Sequence, residues 1–185
     1  MPTKKKAALS PRKLPTWFMT PALSNCLESK CKKEQGQLKN NKYVLEKKQI
    51  FTKYLDSRND VRTRFDIGEY DKGKREVKFG KAYTKYMKER TKIKIKIMKE
   101  KEYNDLLNCQ MKNCYNDTFN TLKIRIESIL AHTKKNTEEY KLASKYKKIL
   151  TQMGKKTKLT GEEVNRFNID MVKIILKEHT GKQYW

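Results

Sequence analysis

The sequence predicts a mainly α-helical protein: a long antiparallel helical hairpin followed by two shorter helices, with a short β excursion near residues 61–79 at the turn of the hairpin. Three observations predict it. Apolar residues recur at three- and four-residue spacing through two long stretches, 21–57 and 79–132. The C-terminal part contains two helix start signals, each with its own stop. All four cysteines fall in two matching windows, Leu-Ser-Asn-Cys-Leu-Glu-Ser-Lys-Cys at 23–31 and Leu-Leu-Asn-Cys-Gln-Met-Lys-Asn-Cys at 106–114, each with four residues between its cysteines. The predicted organisation is an extended basic arm over 1–20, the hairpin with its cysteine windows over 21–133, and a helical pair with an aromatic tail over 134–185.

Residues 1–20 carry Lys4, Lys5, Lys6, Arg12 and Lys13 with no acidic residue, and Pro2, Pro11 and Pro15 prevent a useful helix. These five cations are the candidate polyanion contacts of the arm. Trp17 and Phe18 follow as candidate docking residues, matched at the other end by Tyr184 and Trp185. Thr20 before Pro21 reads as an N-cap with proline at the first helical position. Leu23, Leu27, Cys31, Leu38 and Leu45 then follow near one stripe, which Gly36 and the pair Asn40 and Asn41 bend or interrupt. Between Arg58 and Phe79 the pattern alternates at Val61, Thr63, Phe65 and Ile67, turns between Gly68 and Gly73, and alternates again at Val77 and Phe79, which predicts two short strands.

From Phe79 a heptad-like seam runs through Tyr83, Tyr86, Arg90, Ile93, Ile97, Glu100, Asn104, Leu107, Met111 and Cys114. It continues through Leu122, Ile126 and Ile129 to His132, as one very long helix or two collinear ones. The run 92–97 alternates lysine and isoleucine, so a strand competes there; the helix-compatible flanks favour helix. Asn136 with Glu139 predicts the cap of the next helix, stopped by Gly154. Thr160 with Glu163 predicts a capping box for the last, with Leu159 stapled onto Val164 and Gly181 as the stop.

The chain has 185 residues, enough for one domain with a modest core. It carries 45 Lys and Arg against 21 Asp and Glu, a formal charge of +24 whose self-repulsion is relieved beside a polyanion. Mean hydropathy is −0.97, which supports amphipathic stripes rather than a thick interior. No run is long and apolar enough to span a membrane, and the N-terminus lacks the apolar core of a signal peptide, so a nucleocytoplasmic or organellar location is expected. Part of the lysine content follows the Lys, Asn, Ile and Tyr usage of AT-rich coding.

An antiparallel pairing of Cys26 with Cys114 and of Cys31 with Cys109 has the same centre, Tyr70, between Gly68 and Gly73 where the turn was read independently. The hairpin therefore predicts that Cys26 and Cys114 are neighbours. Three chemical readings of the four cysteines stand: structural zinc, two disulfides, or small apolar thiols in a helix interface. Zinc requires an unwound window, because residues five apart on a straight helix point about 140° away from each other. No other cofactor is expected.

No catalytic set can be assembled, so a non-enzymatic protein is expected. His132 and His179 sit at helix ends, and Glu138, Glu139, Glu162 and Glu163 lie in first helical turns, where the helix dipole accounts for them. Two functions follow. One is a structural component of a large assembly, whose partners are other subunits. The other is a non-specific nucleic-acid binder, for DNA packaging or on a ribosome, with lysines and arginines on phosphates and Tyr83, Tyr86, Tyr103 or Tyr115 available for stacking.

With its Lys-rich arm from Pro2 to Lys13, its paired-cysteine windows and its Lys, Asn, Ile and Tyr bias, the chain resembles the small basic virion proteins of large eukaryotic DNA viruses. The resemblance implies a minor capsid or core role. Such viruses typically carry thiol oxidases, so it also implies a route to the disulfide reading.

Overall fold

The computed structural model describes residues 18–156 and 158–181, with the backbone alone at 153–156, 176 and 178–181. Among these, eight α-helices and no strand occur: α1 (Pro21–Lys30), α2 (Lys32–Lys39), α3 (Lys42–Asp66), α4 (Lys72–Ile97), α5 (Lys101–Asn113), α6 (Tyr115–His132), α7 (Glu138–Lys156) and α8 (Gly161–Gly181). The protein is mainly helical, as its periodicity predicts.

Local chemistry sets the boundaries. Thr20 Oγ1 accepts from the Leu23 N–H at 3.2 Å and Pro21 begins α1. The interruption falls at Asn40 and Asn41 rather than at Gly36, which lies inside α2; Asn41 Oδ1 accepts from the Tyr43 N–H at 2.9 Å and starts α3. Asp71 Oδ1 accepts from the Lys74 N–H at 2.7 Å and starts α4. The capping box before α8 closes in both directions, with the Thr160 N–H on Glu163 Oε2 at 2.9 Å and the Glu163 N–H on Thr160 Oγ1 at 3.3 Å. For α7 the cap is Thr137, whose Oγ1 accepts from the Tyr140 N–H at 3.2 Å, one residue after the predicted Asn136; the helix continues through Gly154 to Lys156.

The predicted β excursion is absent. Residues 61–66 end α3 and residues 72–79 begin α4. The period of two was carried by residues that are not all inward: Val61 is buried and Phe65 half-buried one turn later, whereas Ile67 is 65% exposed and Val77 is exposed. The pair Val61 and Phe65 has helical spacing. Arg75 lies over the Phe65 ring at 4.1 Å, closing the two helix ends on each other. Among the described residues Gly68 alone has a positive φ, 81°, and an added Cβ would meet no atom within 4 Å there. Gly68→Ala is therefore expected to cost about 1 kcal/mol from backbone strain alone, read as a shift in the urea midpoint.

The seam from 79 onward is neither one helix nor two. It breaks at Met98–Glu100 and again at Cys114, giving α4, α5 and α6. The alternating lysine and isoleucine run is helical, with Ile93 and Ile97 buried one turn apart.

Pairs of residues from α1–α3 and α4–α6 meet in an antiparallel register centred close to Tyr70. Tyr54 stacks on Tyr86 at 4.6 Å, and Lys96 lies over the Tyr43 ring at 5.2 Å. Asn41 Nδ2 donates to Glu100 Oε2 at 3.2 Å, and the hydroxyls of Thr20 and Thr121 share a hydrogen bond of 2.7 Å. The main core lies at the base, where α5, α6, α7 and α8 bury Leu107, Leu122, Ile126, Ala143, Tyr146, Phe167 and Met171. A smaller cluster holds Leu23, Leu27, Cys31 and Cys114.

Candidate functional site

The four cysteines come together as two disulfides. Cys26 is bonded to Cys114 and Cys31 to Cys109, each pair with Cα atoms 5.9 Å apart. No cysteine is free, so no thiolate remains for zinc, although Glu34 lies close to the sulfurs of Cys31 and Cys109. Of the three readings, disulfides describe this structure; the zinc and free-thiol readings do not.

The repeat in the sequence is a repeat in geometry. Each window begins as a helix and leaves helical geometry at its second cysteine, Cys31 at φ −125°, ψ 29° and Cys114 at φ −128°, ψ 33°. A new helix follows directly in both cases. The kink is what lets cysteines five apart face one partner, which a straight helix forbids. The windows are related by a local pseudo-two-fold: the first cysteine of each bonds the second of the other. Cys26 Sγ lies 3.6 Å from the carbonyl oxygen of Asn113, and Cys109 Sγ lies 3.5 Å from that of Lys30. Cys31 and Cys114 are buried, whereas Cys26 and Cys109 are half-buried.

Beside this cluster the helices form a half-open cavity of about 650 Å³. Its apolar wall includes Leu23 and Leu27 from α1, Ile97 from α4, Leu122 from α6, and Met171 and Val172 from α8. Four cations line it, Lys39, Lys47, Lys94 and Arg125, against one carboxylate, Glu28. The Arg125 side chain is half-buried, and no carboxylate pairs with it. Its Nη1 donates to Asn168 Oδ1 at 3.1 Å, it lies over the Phe167 ring at 5.5 Å, and its Nε is buried without an acceptor.

Burial pushes the Arg125 pKa down to about 10. Lys94 is pushed down to about 8, by burial first and then by Arg125, Lys47 and Arg90. Lys47 is lowered by burial and by Arg90. The Tyr103 hydroxyl accepts from Asn168 Nδ2 at 3.3 Å, and burial raises its pKa. A signal for this cavity did exist. Arg125 occupies a stripe position between Thr121 or Leu122 and Ile129, and Lys94 one between Thr91 and Ile97, where an apolar residue would complete the pattern.

The remaining predicted residues divide. Lys4, Lys5, Lys6, Arg12, Lys13, Trp17, Tyr184 and Trp185 lie outside the described residues. Phe18 is half-buried and lines the cavity. Of the tyrosines offered for base stacking, Tyr103 is committed internally, and Tyr115 accepts from the Leu159 N–H at 3.0 Å and packs beside Phe119. Tyr83 and Tyr86 pack with Tyr54, and only Tyr83 is exposed. His132 closes α6 with Nδ1 2.8 Å from the Ser128 carbonyl oxygen. No helix among the described residues is long and apolar enough to cross a membrane. Comparison with protein-family models, with curated proteins and with solved structures gives no match.

Proposed function

We propose that the chain is a non-enzymatic structural protein of a large assembly, a stapled helical clamp that bridges neighbouring subunits, in the manner of a minor capsid or core component of a virion. One observation carries the reading: in the arm formed by α3 and α4, α3 buries almost nothing. α3 runs for 25 residues, about 37 Å at 1.5 Å per residue, and buries only Val61. Of the seven large apolar side chains exposed among the described residues, five lie on this arm and its turn: Leu45, Phe51, Ile67, Val77 and Tyr83. Arms that expose apolar side chains gain from a neighbour that covers them. The disulfides tie the root of that arm to the body, which suits a part that carries load between subunits.

Nucleic-acid binding is the second reading, favoured by the charge of α4: nine lysines and two arginines against two glutamates. Such a surface neutralises phosphates without reading sequence.

One experiment separates the two. Particles or complexes from the native source are treated with nuclease and then raised salt, and the chain is followed in the pellet without reductant. The assembly reading expects the chain to stay with the particle, its intact mass four hydrogens below the fully reduced value. Release by nuclease, or a steep linear fall of log affinity with log salt on purified DNA or RNA together with loss from the particle, transfers the function to the nucleic-acid reading.

A further inference from the structure

The cavity beside the staples joins two properties that rarely coincide in a structural core. Its wall is mostly apolar, and Arg125, Lys94 and Lys47 converge on it from α6, α4 and α3, with Arg125 and Lys47 close enough to Lys94 to lower its proton affinity. A core position normally rejects a guanidinium that has no carboxylate, because an uncompensated buried charge costs several kcal/mol. Arg125 has one amide acceptor for five N–H donors, and its Nε has none. An anion placed against it would supply what the fold withholds.

We propose that this cavity binds an amphiphilic anion, a carboxylate or phosphate head on an unbranched apolar chain, with the head against the Arg125 guanidinium and the chain along Leu23, Leu27, Ile97, Leu122 and Met171. The volume, about 650 Å³, falls in the range of small-molecule sites, and a wall that is mostly apolar with a few convergent polar groups is their usual composition. The guanidinium fork suits a carboxylate or phosphate because two parallel N–H donors meet two oxygens. Lys94 adds charge from α4, and its ammonium is held charged when the head is bound. The single lining carboxylate, Glu28, lies on an exposed position of α1, where Ser24 Oγ donates to it at 3.4 Å. Nothing in this inference depends on the assembly role.

The test is calorimetric titration of the full-length oxidised chain with four probes: dodecanoate, dodecyl phosphate, dodecyltrimethylammonium and inorganic phosphate. Saturable one-to-one binding of dodecanoate or dodecyl phosphate is expected, with the cationic amphiphile and free phosphate weaker by at least roughly tenfold; the ratio of the two anionic probes tells which head the site prefers. Arg125→Met should weaken the better probe by about 10- to 100-fold, the worth of a charge-assisted hydrogen bond, while Lys53→Gln on the exposed face of α3 leaves it unchanged. The unmutated chain alone can refute the proposal. Equal binding of the cationic amphiphile, uptake only at many equivalents with loss at raised salt, or no binding of either anionic probe would overturn it.

Discussion

Reduction of the two disulfides lowers the thermal midpoint by about 20 °C, the largest single change expected of this protein. The size follows from how the bonds are nested. Either bond alone closes a long loop, with sequence separations of 88 and 78, and restricts the unfolded chain by about 4.5 kcal/mol on chain-entropy accounting. Once one is closed, the other closes only a ring of about a dozen residues and adds about 3 kcal/mol. Together they contribute about 7 kcal/mol, comparable to the whole stability of an ordinary domain. The nesting gives the prediction a second, sharper form. Cys26→Ala with Cys114→Ala loses about 3 kcal/mol, the other pair loses about the same, and all four replaced together lose about 7, more than the sum of the two. Circular dichroism melts with and without reductant, and of the three variants, decide it. Equal midpoints in both redox states would refute the account.

The first step of unfolding in the reduced chain is the release of α1 and α2. α2 has no buried residue, and α1 has only Leu23 and Leu27, so these helices lack the apolar contact needed to offset an ordering cost of about 1–2 kcal/mol per residue. The core of α5 to α8 does not depend on them. Amide exchange should accelerate over residues 21–40 before it does over 115–175. Because Leu23 and Leu27 also form part of the cavity wall, the same reduction opens the cavity.

Much of this was legible in the sequence for reasons that can be named. The register centred on Tyr70 could be read from cysteine positions because two matching windows in an antiparallel pair leave one consistent alignment, and contacts from Thr20–Thr121 to Phe65–Arg75 follow it closely. The capping box at Thr160 and Glu163 was legible because caps are local chemistry. The turn region was misread because Val61, Thr63, Phe65 and Ile67 alternate by type while only Val61 and Phe65 turn inward, a distinction that needs the α4 partner to be visible. The breaks at Cys31 and Cys114 carry no glycine or proline. They coincide with the cross-links between helices, which sequence propensity does not register. Arg125 and Lys94 were hidden for the opposite reason: on a chain with 45 basic residues, two more cations attract no notice until burial singles them out.

Replacing Lys94 with methionine stabilises the protein, and this is the second large effect expected. The folded pKa of Lys94 is pushed down to about 8 from the ordinary lysine value of 10.5, because burial and the charges of Arg125, Lys47 and Arg90 all disfavour the ammonium. Glu28, Lys39 and the Tyr103 hydroxyl are the other titratable groups on the cavity wall. The unfolded chain therefore binds more protons than the folded one between about pH 8 and 10.5, so stability rises with pH across that window. From pH 7 to 9.5 the gain from this residue is about 2 kcal/mol, and Lys47, shifted in the same direction, adds to it. Tyr103 and Tyr146, whose pKa values burial raises, oppose the trend only where unfolded tyrosines begin to ionise, near pH 10. With no free thiol to initiate exchange, the disulfides stay in place over the measured range. Urea midpoints at pH 7 and 9.5 should rise for the unmodified chain. Lys94→Met should gain about 3 kcal/mol at pH 7 and lose most of the slope. A flat or falling profile, or a destabilised variant, would sink the assignment. If the variant is more stable and also binds dodecanoate less well, stability and binding make opposite demands at one residue, the pattern of a side chain retained for what it holds rather than for the fold it burdens.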